Sequence, residues 1–160
     1  MKAVAHAALF ALALLLDASG LLELPVIGGR PILFAALAAC VALRGSALAG
    51  GAWGFAGGTA LGLLFADTRL GARALGGLLA GSVPVAFRRL LFWHRPSGQA
   101  AVGVVAGLSY GAAGIVAGWA RGEMAGPPGV MLPRIGLDAL LTGAACPVLY
   151  ALLARVERQV

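Results

Sequence analysis

The stretch Gly50–Leu75 reads GGAWGFAGGTALGLLFADTRLGARAL. Its apolar part carries glycine at 50, 54, 58 and 62, and it stops on Asp67-Thr68-Arg69. On a helix, residues i and i+4 lie on one face. These glycines therefore form a groove without side chains, along which another helix comes close. In lipid the association of helices depends on such van der Waals contact, because the hydrophobic effect contributes little between them. Gly103, Gly107 and Gly111 repeat the spacing, and Gly77 with Gly81 forms a shorter pair. Two roles suit such a face: packing inside one bundle, or docking of another protein's transmembrane helix. Spacing alone does not identify the helix that docks. Asp67 closes the run, either as a solvated loop charge or, with Thr68 and Arg69, as a polar turn that meets a partner outside the membrane.

Composition identifies the solvent. Hydrophobic residues make up 61% of the 160-residue chain and charged residues 11%. A soluble domain carries about 25% charged residues, so too little polar surface exists here to cover a globule in water. A hydrocarbon core of about 30 Å takes roughly 20 apolar residues as helix. Candidate spans are 3–24, 31–43, 46–66, 70–87, 99–120 and 135–154. The expected fold is all-α, a single membrane domain built as a bundle of about six transmembrane helices. Turn signals separate the runs at Gly28-Gly29-Arg30-Pro31, Arg95-Pro96-Ser97-Gly98 and Gly126-Pro127-Pro128-Gly129. A cleaved signal peptide is the competing reading of the N-terminus, with Ala3–Leu16 as its apolar core and Ala18-Ser19-Gly20 as the processing site.

The basic residues give an orientation. With a cytoplasmic N-terminus, the inner side holds Lys2, Arg44, Arg88, Arg89, Arg95, Arg155 and Arg158, and the outer side Arg30, Arg69, Arg73, Arg121 and Arg134. The excess of basic residues inside follows the usual rule, and the basic loop of Arg88, Arg89 and Arg95 lands in the cytoplasm. Five of the six acids, Asp17, Glu23, Asp67, Glu123 and Asp138, fall on or near the outer side. The net charge of +6 is dispersed between apolar runs rather than gathered on one face, which argues against nucleic acid as a partner. Trp93 and Trp119 suit interfaces, whereas Trp53 sits deeper and packs.

The polar residues inside the runs are few. Arg134 and Asp138 are spaced to pair on one helical face. Pro84 and Pro147 are expected to kink or locally open their helices. Cys40 and Cys146 read as reduced, buried, small apolar residues. His6 and His94 lack ligand spacing, so no metal site is expected. No nucleophile elbow, HExxH, carboxylate pair or P-loop occurs. An enzyme is therefore not expected, nor is a cofactor.

The pattern Gly54-Phe55, Gly58, Gly62-Leu63-Leu64, Asp67, Gly71 and Ala74-Leu75 resembles the MreD family of rod shape-determining proteins. Val41–Gly50 is similar to that family's apolar, basic, glycine-containing approach to the same helix. Leu137–Arg158 looks like its last helix, with a proline, an aromatic and a basic end. The resemblance implies a non-enzymatic component of the bacterial inner membrane that serves cell-wall elongation. The partners it implies are MreC, the actin-like MreB filament, a RodA-type glycosyltransferase and a class B penicillin-binding protein, besides membrane lipid. The alternatives are the substrate-binding S component of a vitamin transporter, or a small channel or exporter subunit. An S component needs polar groups converging on a pocket. Asn is absent from the sequence, and Gln occurs only at 99 and 159.

Overall fold

A helix that is apolar on every face belongs in an interior. Leu33–Leu43, LFAALAACVAL, is such a segment, and in the computed structural model every one of its residues is buried. The structure describes residues 2–23, 28–65, 70–88, 94–122 and 128–159. Six helices follow in order: α1 (Lys2–Ser19), α2 (Leu33–Arg44), α3 (Ala47–Leu64), α4 (Leu70–Ala86), α5 (Pro96–Ala120) and α6 (Pro128–Gln159). No strand occurs among the described residues.

α2 stands at the centre and touches all five other helices. The other five surround it in the cyclic order α1, α3, α4, α5, α6, and each touches only its two ring neighbours besides α2. Ala35, Ala36, Ala38, Ala39 and Ala42 keep the central helix thin, so five neighbours can approach it. Phe34 supplies the bulk. It is fully buried and meets Tyr110 of α5 edge to face, with ring centroids 5.4 Å apart. The α3–α4 and α5–α6 contacts are the most extensive, and those of α1 the least. Trp53 packs, as expected: it stacks on Phe10, ring centroids 4.7 Å apart, and so ties α3 to α1.

The outward faces are apolar. Leu15, Phe55, Leu75, Leu108, Val116 and Leu140 are all exposed, on five different helices. Among the described residues three helical segments are long and apolar enough to cross a membrane: α3, α5, and Met131–Arg158 of α6. α1, α2 and α4 are shorter apolar helices. At 12 residues, α2 is only about 18 Å long, which does not cover a 30 Å hydrocarbon core.

Helix bounds depart from the apolar runs where backbone chemistry overrides hydropathy. The first run extends to Leu24, but α1 stops at Ser19, because Gly20 adopts φ of 67° and ends the helix in a left-handed turn. α6 is longer than its apolar run at both ends, since backbone hydrogen bonding continues after the side chains turn polar. α4 and α6 run through Pro84 and Pro147 as continuous helices. α3 begins where the Ser46 hydroxyl accepts the Ala49 amide at 3.2 Å, a side-chain cap.

Candidate functional site

The glycines of α3 face α4. A methyl group on Gly54 would collide with the carbonyl of Gly77, one on Gly58 with the carbonyl of Arg73, and one on Gly81 with the carbonyl of Gly50. Gly62 lies against Leu70, whose Cδ1 would be 2.9 Å from an added Cβ. The partners therefore step backwards along α4 as the glycines step forwards along α3. Gly77 and Gly81, the shorter series, mate with Gly54 and Gly50. The two helices meet backbone to backbone, and this face is occupied within the chain.

α5 and α6 form a second seam in the same antiparallel sense. An added Cβ on Gly103 would come within 2.8 Å of Gly143 Cα, and one on Gly107 within 2.7 Å of Ala139 Cα. At Gly111 the neighbour is the side chain of Ile135. Gly71 differs, with open space around it. Asp67, with Thr68 and Arg69, lies outside the described residues, as do Arg89, Trp93 and Glu123. Arg88 follows the end of α4, and Arg95 is the N-cap of α5.

Two polar clusters lie at opposite ends of the bundle. At one end, α2 begins at Ile32, a residue with no capping side chain. Its amides are met from other helices instead. The Asp17 carboxylate of α1 accepts the amides of Leu33 at 3.0 Å and Phe34 at 2.9 Å, one on each oxygen. Thr142 of α6 accepts the Ile32 amide at 3.0 Å and donates to the Asp138 carbonyl at 2.6 Å. Asp138 Oδ1 accepts the Arg30 amide at 2.8 Å. Asp138 therefore serves backbone rather than Arg134, the partner its spacing suggests. Arg134 instead approaches Glu23 at 3.7 Å, on the surface. Leaving part-buried amides such as those of Leu33 and Phe34 unpaired costs roughly 1–3 kcal/mol each, which accounts for an acid at Asp17 in an apolar chain.

At the other end, Glu157 near the end of α6 meets side chains from two other helices. Its Oε1 lies 3.2 Å from His6 Nε2 of α1, and its Oε2 accepts from Arg44 Nε at 2.7 Å and also contacts Arg44 Nη2. The Arg44 guanidinium sits over the Tyr150 ring, 5.3 Å from its centroid. These residues border a cleft of about 430 Å³. The sequence placed Arg44 at the inner side but did not connect it to His6 or Glu157. The available signal was that Glu157 alone among the acids shares that side.

Between the two ends the buried residues are almost all apolar. Cys40 of α2 and Cys146 of α6 are buried free thiols with Sγ atoms 3.5 Å apart. Among the described residues no buried side-chain nitrogen or oxygen lacks a hydrogen-bond partner, and no cluster of three or more His, Cys, Asp or Glu is placed to hold a metal.

Among the described residues these features define a class, an all-helical bundle with an apolar exterior, three helices of membrane length and clusters of polar ties at its two ends. No family model matches the chain, and no curated protein or solved structure matches it either.

Proposed function

We propose that this protein is an integral membrane scaffold of bacterial cell-wall elongation, its helices set across the bilayer around the short central α2, acting without catalysis alongside MreC, MreB and the peptidoglycan synthases. The observation that carries the reading is the pattern from Gly54 to Leu75, which resembles MreD and whose α3 glycines form the tightest seam of the bundle. Two backbone-to-backbone seams pack adjacent helices closely, which suits a body that holds partners in place. The apolar exterior supports placement in a bilayer. The experiment is crosslinking in native membranes followed by recovery of the protein. Enrichment of an MreC-like partner and of the synthases is expected, with loss of rod shape on depletion. Recovery without any of these partners, from cells whose shape does not depend on the protein, would refute the scaffold.

The cleft beside Arg44 favours a second reading, the S component of a vitamin transporter. That reading places a vitamin in the cleft and requires it to arrive from outside the cell. The cleft lies instead at the arginine-rich end, which the charge rule turns toward the cytoplasm. A vitamin retained through purification in near one-to-one amount would decide for the transporter.

A further inference from the structure

An apolar groove lies near the cleft at the arginine-rich end. The polar wall of the cleft is His6, Arg44, Tyr150 and Glu157, with Trp53 beside them. A turn or so further along α1, α2 and α6 lies a second cavity of about 110 Å³, lined by Leu9, Leu16, Leu37 and Leu152 among other wholly apolar side chains. The two are neighbours on all three helices, through His6 and Leu9, Val41 and Leu37, and Tyr150 and Leu149. α1 has the least extensive contacts of the ring, so the bundle is loosest along this line. A charged cleft with an apolar groove beside it matches a molecule with a polar head and a hydrocarbon chain.

We propose that this site binds an anionic phospholipid, with its phosphate against Arg44 and an acyl chain along the apolar groove between α1 and α6. The sign of the head group follows from the surrounding charge. Arg44, Arg88, Arg95, Arg155 and Arg158 all lie at this end of the bundle, and Glu157 is the one acid there among the described residues. Glu157 takes the Nε and Nη2 edge of Arg44. A guanidinium has five N–H donors, so others remain for a phosphate oxygen. The cytoplasmic leaflet, rich in anionic lipid, attracts such an end. Tyr150 has the amphipathic ring that settles at head-group depth. A free phosphate would leave the apolar groove empty, whereas a lipid fills both cavities. The site depends on the chain residing in a bilayer and not on which proteins it meets.

The test is native mass spectrometry of the full chain released from nanodiscs containing equal amounts of phosphatidylglycerol and phosphatidylcholine. The wild type is expected to retain phosphatidylglycerol over phosphatidylcholine by about tenfold, on the scale of one charge-assisted contact. The double variant Arg44→Gln/Glu157→Gln removes both charges together and leaves neither unpaired, and the preference should fall to within about twofold. Leu152→Trp, at a partly exposed position on the groove wall, should cut retention of both lipids while the unfolding temperature holds. Equal retention of the two lipids by the wild type overturns the proposal. So does unchanged retention in Leu152→Trp, or a bound mass that belongs to a non-lipid molecule.

Discussion

Asp17 shows how a single acid earns a place in an apolar helix. Its two oxygens take one amide each from the first turn of α2, at 3.0 and 2.9 Å. Asp17→Ala leaves both amides without a partner and should lower stability by roughly 2–4 kcal/mol, the sum of two unpaired donors in a partly buried site. Asp17→Asn keeps one carbonyl acceptor, so about half that loss is expected. Unfolding of the purified protein in mixed micelles measures both, and equal losses in the two variants would sink the two-amide account. The sequence presented Asp17 only as an outer-side charge. Its role depends on a helix that starts sixteen residues later, and proximity in space is not encoded in a one-dimensional spacing. An indirect signal did exist: no Ser, Thr, Asp or Asn stands immediately before Leu33, so the amides of a buried helix start had to be met from another element. Asp138 was misread for the same reason. A spacing of four residues points to Arg134, but the backbone of Arg30 arrives from another part of the chain.

At the level of the element, the spacing of the α3 glycines was legible, and their mates were not. Gly77 and Gly81 stood in the sequence as a separate short pair, yet an antiparallel hairpin with a short connection sets them opposite Gly54 and Gly50. The sign of a glycine-to-alanine change distinguishes seam from surface. Alanine is a better helix former than glycine by about 1 kcal/mol. At Gly114 of α5 an added methyl meets nothing, so Gly114→Ala should raise stability by up to about that amount. At Gly54 the same methyl runs into the Gly77 carbonyl, and overpacking of this kind costs roughly 1–3 kcal/mol. Gly54→Ala should therefore lower the unfolding temperature while Gly114→Ala raises it. A gain in both would mean that α3 and α4 do not meet at this seam. Gly58→Leu should reduce cellular abundance together with stability, because its obstacle is the Arg73 carbonyl of the same chain. Normal abundance of Gly58→Leu, read by immunoblot, would contradict the internal seam.

Over the whole molecule, α1 starts and α6 finishes at the same end, joined by His6 and Glu157. Arg44, Arg88, Arg95, Arg155 and Arg158 share that end, while Arg30, Arg73, Arg121 and Arg134 share the other with Asp17, Glu23 and Asp138. Both termini are therefore expected in the cytoplasm. A cysteine introduced at Gln159 should resist a membrane-impermeant maleimide in intact cells and react once they are permeabilised, and labelling of intact cells would invert the topology. The helical class and the apolar exterior were legible from composition, because every outward face must suit its solvent. The cyclic order around α2 was not, since run lengths carry no information about neighbours. The central position of α2 also has a consequence for biogenesis. A ribosome delivers this helix before α3, α4, α5 and α6, four of its five eventual neighbours. Too short to cross a core of about 30 Å on its own, it is expected to wait at the edge of the bilayer until they arrive. Chains stopped after α4 should therefore be cleared by membrane proteases far faster than the full chain, as pulse-chase labelling would measure, because α6, which joins α5 to α1, is what closes the ring.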